Sequence, residues 1–198
     1  MKNRLFLSFA VVMMAIVATS CGKMPQENMD AAKAAVENAK AAQADIYMAP
    51  EFKALEDSLA VVMQGVEAEN SKFFKNFGSY TAKLDTLKAQ AEAVAASVPA
   101  KKEAVKQEAE ATLAAVKTAI EETKALLAKA PKGKEGKAAL EQISNDLNTV
   151  AAMVAEMETS MTGDVNYAQV LNKLGAAKQS VEGLNAELTE AIAKKAGK

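Results

Sequence analysis

The chain has 198 residues, 24 basic and 25 acidic, for a net charge of −1, with one Cys and neither His nor Trp. This size suits one or two small domains. The missing His excludes imidazole metal sites and His-based acid–base catalysis, and the single Arg, Arg4, argues against the bidentate phosphate and guanine contacts of a nucleic-acid binder.

The first 20 residues stand apart. Met1–Arg4 is a short basic start, Leu5–Ala18 is almost uninterruptedly apolar, and Ala18-Thr19-Ser20 is a run of small residues ending at Cys21. A basic start, an apolar stretch and a small-residue cleavage site define an export signal. The apolar stretch is too short for a spanning helix, which needs about 20 residues. Without Lys2 and Arg4 the basic residues fall to 22 against 25 acidic, a net charge of −3.

The small residues and Cys21 resemble the lipobox of bacterial lipoproteins, although that family usually has Leu where Ala18 stands. The resemblance implies that the Cys21 thiol carries a diacylglycerol and that its new amino group is acylated. Residues 1–20 are then a lipoprotein signal peptide and 21–28 a polar tether. A lone Cys in an exported chain cannot form an internal disulfide, and lipidation accounts for it. Gly22 in place of Asp implies, by the enterobacterial sorting rule, an outer-membrane location facing the periplasm; the cell surface remains an alternative.

From Met29 onward apolar residues fall at spacings of three and four, which places them on one stripe of a helix. The stripes are Met29, Ala32, Val36, Ala39, Gln43, Ile46; Phe52, Leu55, Leu59, Val62, Val66; Tyr80, Leu84, Leu87, Ala91, Val94, Val98; Leu113, Val116, Ile120, Thr123, Leu127; Leu140, Ile143, Leu147, Val150, Val154, Met157, Met161; and Leu171, Leu174, Ala177, Val181, Leu184, Leu188, Ile192. Alanine, the best helix former, fills much of the rest. No stretch alternates with the period of two that a strand requires. Lys–acid pairs at i,i+4, such as Lys53/Asp57, Lys88/Glu92, Lys106/Glu110, Lys117/Glu121 and Lys178/Glu182, mark the solvated faces.

Breakers divide these helices. Pro50 and Pro131, each after Ala, suit a first helical turn. Asn76-Phe77-Gly78-Ser79 and Thr162-Gly163-Asp164 read as turns, with Ser79 and Asp164 as candidate N-caps. Pro99, with no Gly or Asn loop around it, should bend its helix rather than reverse the chain. Ala-Pro followed by a long helix, a Gly turn and a Tyr-led helix occurs twice, with Tyr80 and Tyr167 in matching places. The repeats would run over 29–98 and 100–195. The expectation is an all-α, elongated antiparallel helical bundle: two three-helix units, 29–98 and 99–198, sharing a long central helix bent near Pro99.

No catalytic constellation emerges, no cofactor is implied, and the reading is of a protein that is not an enzyme. Pro131–Gly136 has glycine-flanked lysines but lacks the Gly-Lys-Ser/Thr ending of a phosphate loop. Phe73, Phe74, Phe77 and Tyr80 gather at the first hairpin turn. They are either a plug for the end of the bundle or a patch for a partner protein, glycan or membrane surface. The Lys198 terminus resembles, only in ending with Lys, an abundant envelope lipoprotein joined to peptidoglycan; a frayed tail is the simpler account. The segment Ala41–Leu55, with its Ala-Pro-x-x-x-x-Leu pattern over Ala49–Leu55, is similar to a family of uncharacterised bacterial lipoproteins with an Ala-rich helical hairpin of unknown function. That resemblance implies a cell-envelope location and supplies no catalytic residues. The partners expected are the membrane through the acyl chains, envelope proteins or peptidoglycan, and other copies of the chain through exposed apolar stripes, but not nucleic acid.

Overall fold

The computed structural model describes residues 22–130, 137–163 and 165–196. Among them the chain forms six helices and no strand: α1 (Gln26–Ala41), α2 (Ala44–Tyr47), α3 (Ala49–Asn70), α4 (Gly78–Lys129), α5 (Lys137–Ser160) and α6 (Tyr167–Ala196). The protein is an all-α helical bundle, in which the three-and-four spacing of aliphatic residues is satisfied by helix against helix. The polypeptide divides into two compact units between Lys101 and Lys102, inside α4. That helix is continuous over 52 residues and contains Pro99, which does not reverse the chain. Pro99 is exposed, and its missing N–H removes one helical donor.

The first unit contains α1, α2, α3 and the start of α4. Met29, Ala32, Val36 and Ala39 are buried as the stripe requires, together with Ala35. The stripe does not continue through Gln43. This residue has φ 71°, the left-handed region, and ends α1. The Ala42 and Gln43 amides close back onto the carbonyls of Asn38 and Lys40, satisfying groups that a helix end leaves open. The reversal puts Ala44 and Tyr47 into the core and leaves Ile46 half-buried. Pro50 stands in the first turn of α3, where its missing N–H costs no helical bond. Phe52, Leu55, Val62 and Val66 then face Leu84, Leu87, Ala91 and Val98 in the core.

The second unit packs the rest of α4 against α5 and α6. Val116, Ile120, Leu147, Val150, Val154, Leu174, Ala177 and Val181 form its main apolar cluster. Ala130, Ile143 and Leu188 form a smaller one. Thr123 is fully buried within this aliphatic seam. Its hydroxyl donates to the Ala119 carbonyl at 2.8 Å and accepts the Asn185 amide at 3.2 Å, so the buried oxygen is satisfied and α4 is tied to α6.

The units repeat each other. Residues 81–100 and 171–190 have the same sequence of buried, half-buried and exposed positions, residue for residue at an offset of 90. Asn76, Lys83, Leu84, Lys88 and Glu92 recur identically as Asn166, Lys173, Leu174, Lys178 and Glu182. The two lysine–glutamate pairs close at 3.8 and 3.9 Å. This register corrects the sequence alignment, because Tyr167 stands at the place of buried Phe77, and Val170 at that of Tyr80.

The matching asparagines both cap, but one residue apart: the first-turn amides return to the Phe77 carbonyl in α4 and to the Asn166 carbonyl in α6. Ser79 lies inside α4 and is not its cap; the Asn76 side chain accepts the Gly78 amide at 3.1 Å. The Asn166 side chain does the equivalent for the Gln169 amide at 3.0 Å. Pro131 and Asp164 lie outside the described residues, as do Cys21, the signal segment and Lys198. Of the surface pairs, Lys53–Asp57 forms at 3.1 Å, but Lys117 crosses to Glu158 on α5 at 2.9 Å instead of pairing with Glu121. Lys106 turns back to Glu103 rather than on to Glu110. Exposed pairs of this kind are each worth no more than about 1 kcal/mol, so tertiary proximity easily redirects them.

Candidate functional site

The four aromatics at the first hairpin turn do not form one patch. Phe77 is wholly buried, at the end of the first unit where α4 begins. Phe73 and Phe74 are 92 % and 86 % exposed. They lie in the turn between α3 and α4 and not on a helix, so neither has a core face to turn toward. Their rings meet edge to face, with centroids 5.0 Å apart and planes at 84°, a favourable aromatic geometry.

Tyr80 is half-buried and has a structural task. Its ring lies against the bare Cα of Gly65 on α3, so close that a Cβ at that position would collide with Cε1. The Lys83 ammonium sits 5.4 Å from the ring centroid, within cation–π range. Sequence reasoning therefore grouped residues with three different roles, because proximity along the chain does not report which side of a turn faces the core.

The residue it missed is Glu69. This carboxylate is 7 % exposed and holds the turn. Its Oε1 accepts the Asn76 amide at 2.9 Å, and its Oε2 pairs with Lys72 Nζ at 2.7 Å. Ser71 Oγ donates to the Ala68 carbonyl at 2.7 Å, and Lys75 Nζ to Asn70 Oδ1 at 2.8 Å. The two exposed rings thus stand on a turn fixed on both sides by hydrogen bonds. The only sequence signal was a glutamate at a stripe position, three residues after Val66.

The Lys72 hydrogen bond holds the Glu69 carboxyl below the usual carboxylate range, helped by the Asn76 amide and opposed by burial. A carboxyl whose folded value is lowered stabilises the folded state above its ordinary value. That contribution disappears as pH falls through the lowered value. The protection factor of the Asn76 amide against hydrogen exchange, its rate relative to the intrinsic rate at each pH, is therefore expected to fall on acidification through that range. Glu69→Gln should flatten this pH response; an unchanged profile would show that the carboxylate does not hold the turn.

Two shallow depressions, both open to solvent, lie elsewhere. One of about 310 Å³ runs between α3 and α4 past Val62, Lys83 and Leu87, and one of about 260 Å³ lies near the α5–α6 turn past Met157, Asn166 and Lys173. Among the described residues no three His, Cys, Asp or Glu side chains stand where they could share a metal ion. No described helix is long and apolar enough to cross a membrane.

Comparison of the chain with protein-family models, with curated proteins and with solved structures finds no match.

Proposed function

We propose that this chain is a lipoprotein of the bacterial cell envelope, anchored by acyl groups on Cys21, whose helical body is a non-enzymatic structural spacer and scaffold. The observation that carries the reading is the order of the N-terminal segments: a basic start, an apolar stretch, then Ala18-Thr19-Ser20-Cys21. Folded structure is already under way at Gln26, five residues beyond that cysteine. Several acyl chains anchor far more firmly than one, since each buried methylene contributes about 0.8 kcal/mol. Gly22 favours the outer membrane, with the helical body on the periplasmic side. Surfaces made of solvated Lys–acid faces over narrow aliphatic seams suit a spacer that docks envelope proteins or peptidoglycan along its length.

The test is direct. The mature protein should begin at residue 21 and carry the mass of a diacylglyceryl and an acyl group. Cys21→Ala should move it out of the membrane fraction. A mature N-terminus at another residue, or a residue 21 without acyl groups, would defeat the anchor.

A second reading, that the chain binds a partner through its first hairpin tip, is favoured by the exposure of Phe73 and Phe74 alone. Phe77 and Tyr80, grouped with them from the sequence, serve the fold. In-cell crosslinking from the turn distinguishes the two readings. Under the spacer reading, Phe73→Ser with Phe74→Ser leaves the crosslinks unchanged; under the binding reading, that double substitution removes them.

A further inference from the structure

We propose that the Phe73–Phe74 turn is a second membrane contact, which inserts its two rings into the interface of an anionic phospholipid bilayer beside the acyl anchor. The inference rests on the lipoprotein reading for the position of the bilayer, and on four features of the first unit for the rest.

The two rings are apolar, almost fully exposed and held out on a pinned turn. The fold does not require them. The matching α5–α6 turn of the second unit, with Asn166 and Tyr167 in the places of Asn76 and Phe77, has no phenyl ring between Ser160 and Asn166.

Lysine predominates beside the rings, although Lys72 is paired with Glu69 and Asp85 ends the stretch. Residues 70–84 contain Lys72, Lys75 and Lys83 and no acidic residue, in a chain whose net charge is negative. Apolar side chains flanked by lysines are the composition that binds anionic interfaces, through buried apolar area plus attraction to the headgroups. Each lysine brought to such a surface is worth roughly a fivefold gain in binding.

The turn also lies at the anchored end of its unit. Asn28, at the start of α1, donates a hydrogen bond of 2.7 Å to Asp85 on α4. Asp85 is seven residues into α4 from Gly78, or about 10 Å at 1.5 Å per residue. The beginning of α1 and the phenyl pair are therefore at the same end of the first unit. Cys21 is five residues from Gln26, a reach of at most about 18 Å. A bilayer holding the acyl chains is within range of the rings. A second attachment at the same end fixes orientation as well as position, which a flexible lipid tether alone does not.

The absence of Trp makes the test clean. Phe74→Trp places a single fluorophore on the turn, and Val61→Trp, at a position 68 % exposed on the body of α3, is the control. The full chain, acylated in a bacterial host, is reconstituted into vesicles of mixed zwitterionic and anionic phospholipid brominated at known depth. The expected result is a blue-shifted emission and strong bromine quenching for Phe74→Trp and neither for Val61→Trp. The quenching should weaken with Lys75→Gln and in purely zwitterionic vesicles.

A water-like, unquenched emission at position 74, in a protein whose mass shows acylated Cys21, overturns the second contact and leaves the anchor standing. Quenching at 74 in a chain that carries no acyl group sustains the contact and defeats the anchor. A blue shift without lipid that grows with protein concentration overturns the proposal in favour of a second copy of the chain covering the rings.

Discussion

Phe77→Ala should cost the first unit about 3–5 kcal/mol, the range for deleting a fully buried aromatic ring. Phe77 has no exposed surface, sits where α4 begins, and has its carbonyl bonded to the Tyr80 and Thr81 amides at 3.0 and 2.9 Å. Removing the ring opens a cavity beneath a turn that the Glu69 and Asn76 hydrogen bonds hold in place, so the surroundings have little freedom to collapse into it. Phe73→Ser and Phe74→Ser, four and three residues away, should each shift stability by no more than about 0.5 kcal/mol, as exposed substitutions do. Urea unfolding followed by circular dichroism of the three variants checks the contrast. Similar losses at 73 and 77 would mean that the exposed rings have a partner within the unit, and the second membrane contact would then lose its free surface.

Gly65→Ala should also destabilise the first unit, and Tyr80→Val should restore it. Alanine favours a helix over glycine by about 1 kcal/mol, so in an open position the substitution would be expected to help. Here the added methyl meets the Tyr80 ring. Overpacking of this kind costs about 1–3 kcal/mol, enough to reverse the sign. Tyr80 is only half-buried, so part of the strain can be relieved by swinging the ring outward, at the expense of its contact with Lys83.

At the corresponding positions the second unit carries Met153 and Val170, so no ring stands at the place of Tyr80, and Met153 is exposed. The double variant Gly65→Ala, Tyr80→Val removes the ring that the added methyl meets and should unfold at higher urea than Gly65→Ala alone. If the two effects merely add, the positions are not coupled and the packing account is wrong.

The narrow seams explain why such small changes matter. Much of the first unit's core is alanine: Ala32, Ala35, Ala39, Ala44 and Ala91. Small residues let helices approach closely, so a single methyl group or ring has no slack to occupy. The Lys–acid pairs add little by comparison, because most of their side chains are half exposed or more and compete with water.

The amino-acid sequence by itself determined the class of this protein. Helical spacing of Leu, Val and Ala over Met29–Ile192 left no room for strands, and burial followed that spacing at positions such as Leu84, Val116, Leu147 and Leu174. It also determined the separate character of residues 1–21, since a basic start, an apolar stretch and a cysteine are local facts. What only the tertiary structure decided was everything at the chain reversals. Gln43 looked helical by period but adopts φ 71°, because no stripe shows where a helix must turn its neighbour into the core. Phe73, Phe74, Phe77 and Tyr80 looked like one cluster but are two exposed rings, a buried ring and a spacer against Gly65. Glu69 holds the turn through an amide seven residues away, a contact that no local pattern announces. Periodicity encodes which face of a helix is apolar. Where a helix stops, and what lies across from it, depends on backbone hydrogen bonds and packing contacts between segments distant in the chain.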